Sequence, residues 1–293
     1  MAKIRLLTEP ATSGENPLTI AASLLAARFG RDSGAHPVLD DPTLLRVLGR
    51  RTCRQYTERA VTTDLIDGLL DVAFSASSKS DYQQSSVIVV QDHERRRQVA
   101  ELVPAMPWIG AAPAFLVFCA DANRLEKLCA LRGRSAENRN LEAFFNASID
   151  AALVMQTFIL AAEQTGRGCC PISAIRAHLP EVRAILSLPE RVVPIGGLCI
   201  GYPAMPGFIS MRLPAKLTRH LDRYDDSDLG SAISGYDRER AECAPIPPDK
   251  QRSTERFGCA DFYGWSEDKA RQMQGKEGKD FGAMVRACGF TLE

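Results

Sequence analysis

Apolar residues return at helical spacing three times in the first quarter of the chain. Residues 17–29 carry a short amphipathic pattern that stops at Gly30, and a second pattern covers residues 42–50. In residues 64–75 the side chains of Leu65, Ile66, Leu69, Leu70 and Ala73 fall on one face. The period then changes: residues 86–91 are rich in β-branched side chains and predict a strand. A charged helix over 92–103 and a second, wholly apolar strand over 114–120 follow. Residues 123–140 are heavily charged and weakly periodic, and read as a mobile lid. The strongest helical signal is residues 141–164, with Ile149, Ala152, Leu153, Gln156, Ile159 and Leu160 on one side. It predicts the buried central helix of the core or of a dimer interface.

Gly166-Arg167-Gly168 ends that helix, and residues 169–174 read as a turn with a strand-like start. A helix over 180–186 leads into a strand over 191–202, whose glycines imply close backbone approach. Beyond Pro214 charges and prolines rise, and only residues 264–289 look helical again. The expected organisation is an N-terminal extension (1–35), an α+β core (36–217) and a C-terminal arm (218–293), extended then helical. Glu9 and Glu15 argue against a targeting peptide, so the first helix is expected to pack against the body.

Composition narrows the function classes. With 293 residues, 45% hydrophobic and 25% charged, the chain has the make-up of a globular protein. Thirty-six basic residues balance thirty-six acidic ones, so no global field recruits nucleic acid or an anionic membrane. No run of eighteen apolar residues predicts a membrane span. Nine cysteines, scattered and odd in number, read as reduced thiols of a cytoplasmic protein. Their spacing and the four histidines do not match a metal site.

Three features bear on chemistry. Arg50, Arg51 and Arg54, with Thr52 among them, present guanidinium forks and a hydroxyl that suit a phosphate monoester, or else form a solvated basic turn. The loop with Ser77, Ser78, Ser80 and Gln83 offers hydroxyls and an amide to the heteroatom edge of a flat ring, or is a plain polar connector. Arg212 is a further phosphate ligand or an ordinary surface arginine. The glycine-rich turn of a dinucleotide fold or phosphate loop is missing, since Gly166-Arg167-Gly168 follows a helix and not a strand.

Taken in order, these pieces resemble the nitroreductase family, in particular its larger NADPH-linked branch and flavin-reductase relatives. The resemblance rests on Arg-Arg-Thr-x-Arg-x-Tyr at residues 50–56, the serine-rich loop at 77–83, and Phe118-Cys119-Ala120-Asp121. It extends through Gly166-x-Gly168 with Pro171-Ile172-Ser173, through Leu198-Cys199-Ile200-Gly201-Tyr202-Pro203, and through Arg212-Leu213-Pro214. It implies a mostly antiparallel sheet flanked by helices, an intertwined homodimer, and one FMN in each of two interface clefts. The implied reaction carries hydride from NAD(P)H through flavin N5 to a nitroaromatic or quinone. By resemblance, Arg50, Thr52 and Arg212 would hold the FMN phosphate, Arg51 would line the ribityl chain, and Arg54 would face the N1/O2 edge of the ring. Ser78 and Ser80, in the loop that also holds Gln83, would come from the partner, while Pro171, Ile172, Ser173 and Ala174 would offer backbone groups near N5 and O4. No side-chain acid or base is nominated.

The chain departs from that pattern in two places. Ser210 stands where the branch commonly has a lysine, removing one phosphate contact. Pro171 and Ser173-Ala174 replace a tyrosine and a glycine pair, which narrows the pocket. A flavin reductase, a reductive dehalogenase or ring-modifying enzyme, and a non-catalytic flavin-binding protein remain alternatives on the same fold.

Overall fold

The computed structural model describes residues 17–30, 41–291 and 293. The first elements are α1 (Pro17–Phe29), α2 (Pro42–Leu48), α3 (Thr63–Ala73), β1 (Ser85–Val89), α4 (His93–Glu101) and α5 (Trp108–Ala111). Next come β2 (Ala114–Asp121), α6 (Asn123–Leu131), α7 (Leu141–Gln164), β3 (Gly168–Ile172), α8 (Leu179–Ile185) and β4 (Val192–Gly201). The chain then runs through α9 (Leu229–Cys243), α10 (Thr254–Phe257), α11 (Trp265–Met273) and α12 (Phe281–Ala287).

The four strands form one sheet in the order β1-β2-β4-β3, with every ladder antiparallel. All eight residues of β2 are buried, so this strand has no solvent face. Its alternate residues feed two cores. Ala114, Leu116 and Phe118 meet Val154, Phe158, Ile159 and Ala162 of α7 and Ile66, Leu69 and Ala73 of α3. Phe115, Val117 and Cys119 meet Val99, Ile109, Ile175 and Val182 on the opposite face. The α+β architecture expected from the sequence is therefore present, with helices covering both sides of an antiparallel sheet.

Helix starts follow local capping chemistry. Asp41 accepts from the amides of Thr43 and Leu44 ahead of Pro42, Thr62 caps α3, and Asn140 accepts from Ala143 at the start of α7. At 24 residues α7 is roughly 36 Å long. Length and composition alone would let it cross a membrane, but Ala147, Ala151, Val154, Phe158 and Ala162 are buried against the sheet. Of the side read from the sequence, Ile159 is buried and Leu160 half-buried, while Ile149, Ala152, Leu153 and Gln156 are exposed. Leu141, Phe145, Ile149 and Leu153 form an exposed apolar stripe.

The described residues fall into two compact units, Arg51–Gly207 with Gly278–Glu293, and residues up to Arg50 with Phe208–Glu277. The first holds the sheet. There α12 and Phe290 pack with Ala143, Leu179 and Val193 in a third small core. In the second unit Ala21 and Leu24 of α1 pack with Leu45 of α2, beside Leu48 and Ile209, so α1 is a packed helix as expected. Tyr236 of α9 stacks edge-on against Trp265 at 5.4 Å and donates to the Met211 carbonyl at 3.1 Å.

Three elements differ from the sequence reading. Residues 123–131 are helical, and the Glu126 carboxylate and Asn138 carbonyl that flank the following loop are bonded to the buried guanidinium of Arg191, so this segment is anchored instead of a mobile lid. Residues 168–172 are a full strand, not a turn with a strand-like start. Helix α9 lies where no helix was expected before residue 264. Only Ala232, Tyr236 and Asp237 of its fifteen residues are buried, a stripe too narrow to give a visible period.

Two expectations follow from the core. A methyl group on Gly197 would lie 2.5 and 2.8 Å from ring atoms of the fully buried Phe115. Gly197→Ala should destabilise the protein by about 1–3 kcal/mol through overpacking, read as a lower denaturation midpoint. All nine cysteines are free thiols, and burial pushes Cys119 up to about 12 and also raises Cys53, Cys199 and Cys288. Thiolate is the reactive form. Alkylation at pH 8 should therefore label the exposed Cys243 and Cys259 first, and label Cys119 only after unfolding, as resolved by peptide mass spectrometry.

Candidate functional site

Helix α2 ends at Gly49, whose amide donates to the Leu45 carbonyl at 2.9 Å, and the arginine stretch begins at the next residue. Arg50 belongs to the unit of α1 and α2, and here a residue that sequence reasoning passed over organises the backbone. Arg28, in the last turn of α1 and 5% exposed, donates to the carbonyls of Leu48 at 3.0 and 3.2 Å, Arg50 at 2.5 Å and Ser210 at 2.7 Å. Its own carbonyl accepts from the amide of Arg212 at 2.6 Å. Arg50 and Arg212, both predicted phosphate ligands, are thus joined through one buried guanidinium residue. Arg212 itself is exposed.

In the sheet-bearing unit the stretch continues alongside β3. Thr52 makes an isolated parallel bridge with Cys169, and the Cys53 amide donates to the Cys169 carbonyl at 3.0 Å. Tyr56 closes the stretch by donating to the Cys53 carbonyl at 2.7 Å and lies 3.3 Å from that of Cys199. A side chain on Gly168 would sit 2.5 Å from the Cys53 Cβ, so the close run of the two segments requires glycine there. Thr52 and Arg54 are thereby brought next to the strand that ends in Pro171 and Ile172, which Ser173 and Ala174 follow. Pro171 and Ser173 are exposed, whereas the Ile172 side chain is in the core, leaving only its backbone for a ligand.

The electrostatics of this edge are those of an anion or polar-ring site. Arg51 is half-buried, its Nε is buried with no hydrogen-bond partner, and burial lowers its guanidinium from the ordinary value. Arg54 is exposed and lies over the Trp108 ring at 5.5 Å, a cation–π contact that fixes the direction of its charge. Tyr56 is pushed far up by burial, with the neighbouring thiols adding to the effect, so its phenol stays protonated.

The serine-rich loop lies elsewhere. It precedes β1, at the opposite edge of the sheet from β3, and three strand spacings put those edges about 14 Å apart. Ser80, Asp81 and Gln83 have φ of 51, 57 and 52°, left-handed values that cost non-glycine residues about 1–2 kcal/mol each. The loop is held by Asp150, a buried carboxylate of α7 that accepts from Ser78 Oγ at 2.7 Å, the Lys79 amide at 3.0 Å and the Gln84 amide at 3.3 Å. Ser78 Oγ in turn accepts from the Gln83 amide at 2.7 Å, so its hydroxyl is committed inside the loop. Ser80 and Gln83 are exposed. Arg124 donates to the Gln83 carbonyl at 2.6 Å and to Ser86 Oγ at 2.7 Å, while Asp121 accepts from both Arg124 and Ser86. The Asp121 of the Phe-Cys-Ala-Asp motif is thus a loop anchor. Asp150 stood in the sequence as one acid within an apolar helix, which was the available signal.

No group of three or more His, Cys, Asp or Glu residues among the described residues is arranged to hold a metal ion.

Residues 47–202 match the model of the nitroreductase family. The chain is 38% identical to an FMN reductase [NAD(P)H] of Bacillus subtilis (strain 168) over 195 residues, 66% of this chain and 78% of that one. It is 33% identical to an oxygen-insensitive NADPH nitroreductase of Salmonella typhimurium over 201 residues, 69% of this chain and 82% of the relative. Among solved structures, NfrA2 of B. megaterium aligns with a TM-score of 0.77 at 33% identity, covering 86% of this chain and 99% of that one. The edge that sets an arginine stretch beside β3, the helix-covered antiparallel sheet and these likenesses agree, and the chain belongs to the nitroreductase family.

Proposed function

We propose that the protein is an FMN-dependent oxidoreductase that takes hydride from NAD(P)H and passes it to a small aromatic acceptor, nitroaromatic or quinone, in a ping-pong cycle. The observation that carries this is the arginine stretch stitched along β3, where Arg51 keeps a buried, unpaired Nε. A buried donor without a partner fits an anionic, oxygen-rich ligand. Arg50 and Arg212, with the Thr52 hydroxyl, would hold the phosphate, and Arg51 would line the ribityl chain. Bound FMN supplies hydride acceptance and donation at N5.

The remaining roles belong to the chain. Arg54, oriented by Trp108, places a fixed cation for the N1/O2 edge, which favours the anionic reduced ring. Residues 171–174 offer backbone groups, with the exposed Pro171 narrowing the approach. Neither Tyr56 nor the thiols of Cys53, Cys119, Cys199 and Cys288 serve as acid or nucleophile, because burial raises each of them, so protons come from water. Free thiols throughout fit a reducing cytoplasm.

The serine-rich loop and β3 stand at opposite edges of one sheet, so Ser78, Ser80 and Gln83 would reach a flavin only from a second copy. The uncovered stripe of Leu141, Phe145, Ile149 and Leu153 gives that copy an apolar face to meet. The name of the Bacillus subtilis relative favours a second reading, in which the acceptor is free flavin. A panel of nitro, quinone and flavin acceptors with NADH and NADPH separates the two.

These assignments make three predictions. Arg54→Met should leave the protein yellow with a lower flavin potential and slower reduction by NAD(P)H. Arg50→Met should lose FMN on dialysis, with binding weaker by on the order of 1.5 to 3 kcal/mol. Potentials, stopped-flow rates and FMN dissociation constants decide between the roles, and an unaltered potential and rate in Arg54→Met would remove Arg54 from the flavin edge. For assembly, Phe145→Glu puts a charge in the α7 stripe and should shift the sedimenting species from dimer toward monomer and release FMN. A wild-type monomer that holds flavin would refute the two-copy site.

A further inference from the structure

The family match begins at residue 47, so α1 lies outside it. This helix nevertheless sends one buried side chain into the backbone that carries two of the proposed phosphate ligands. Ala21 and Leu24 seat α1 against Leu45, Leu48 and Ile209, which fixes the height at which Arg28 enters. From there the guanidinium reaches the carbonyls of Leu48, Arg50 and Ser210, and the Arg28 carbonyl takes the Arg212 amide. Arg28 and Ser210 are 182 positions apart in sequence. The planar fork suits this task because its donors diverge at fixed angles, so three carbonyls held by one guanidinium have little freedom relative to one another.

We propose that Arg28 is a positioning residue, a brace contributed by the N-terminal helix that presents Arg50 and Arg212 together to the phosphate of the flavin nucleotide. The proposal rests on the reading that those two arginines meet the phosphate. Arg28 acts through their backbones and touches no ligand. Its effect is therefore confined to the phosphate end of the ligand and leaves recognition of the ring to Arg54 and residues 171–174.

The test compares FMN with riboflavin, which shares the ring and ribityl chain but lacks the phosphate. Dissociation constants for both are measured by flavin fluorescence on full-length wild type, Arg28→Met and Arg28→Lys. Arg28→Met should weaken FMN by about tenfold, the loss of one charge-assisted bond, while riboflavin affinity stays within about twofold of wild type. Arg28→Lys, which keeps the charge but not the fork, should fall between. An FMN constant unchanged in Arg28→Met overturns the brace, and so does an equal weakening of FMN and riboflavin, the mark of general destabilisation. If Arg28→Met does not fold, Arg28→Lys carries the same comparison: selective loss of FMN supports the brace, and equal loss or no loss overturns it. A wild-type protein that binds FMN no more tightly than riboflavin overturns the phosphate reading itself.

Discussion

Everything in the sheet-bearing unit depends on one constraint, that β2 is buried on both faces. A strand with Leu116 and Phe118 on one side and Phe115 and Val117 on the other must be covered twice. Helices α3 and α7 cover one face and α4, α5 and α8 the other. The interior of the sheet is then closed to polar chemistry, and polar residues collect at the rims. The arginine stretch runs along the β3 rim and the serine-rich loop precedes the β1 rim. A site that needs both has to be completed by a second copy, and this geometric requirement supports the proposed dimer independently of the exposed apolar stripe.

Within each unit, polar segments outside the cores cannot be held by apolar packing, and buried charged groups hold them. Arg28 gathers the backbone at Arg50 and Ser210, Asp150 gathers the loop before β1, and Arg191 gathers Glu126 and Asn138 beside α6. Each is almost fully buried and bonded to backbone or side-chain partners of opposite polarity. A buried ion is stabilising only when its hydrogen-bonding capacity is met, so each fixes its surroundings more tightly than an apolar side chain of the same volume. The single apparent cost is the unpaired Arg191 Nε, offset by the 5.3 Å approach of the guanidinium to the Phe290 ring.

The sequence was informative where burial imposes a period. The strand at β2 and the helices α3 and α7 are visible in apolar spacing, whereas the antiparallel sheet was an expectation from the family resemblance. The misses share a cause. Helix α9 buries only Ala232, Tyr236 and Asp237, and α6 buries nothing, so neither shows a stripe. For α7 the helical period is plain, but of the side read from the sequence only Ile159 is fully buried in this chain. Its buried face mixes Ala143, Ala147, Ala151 and Ala162 with Val154, Phe158 and Ile159, while Leu153 and Phe145 are exposed. The roles of Arg28 and Asp150 are hidden for another reason: their partners, backbone carbonyls for Arg28 and backbone amides with the Ser78 hydroxyl for Asp150, are far away in sequence and brought in by the fold.

The left-handed residues of the serine-rich loop show how such a pin shapes a site. Three non-glycine positions, Ser80, Asp81 and Gln83, adopt a conformation that glycine would take at lower cost. A glycine loop would be softer, with more conformations to lose on meeting a ligand. The actual loop accepts local strain and is returned to one shape by Asp150 within and Arg124 without. Ser78 is drawn inward to complete that lock, with its hydrogen given to Asp150 and a lone pair to the Gln83 amide. Ser80 and the Gln83 side chain, whose amide also donates to Asp81 at 3.1 Å, are exposed, and on the proposed reading they are the side chains of this loop best placed to meet the flavin of the other copy.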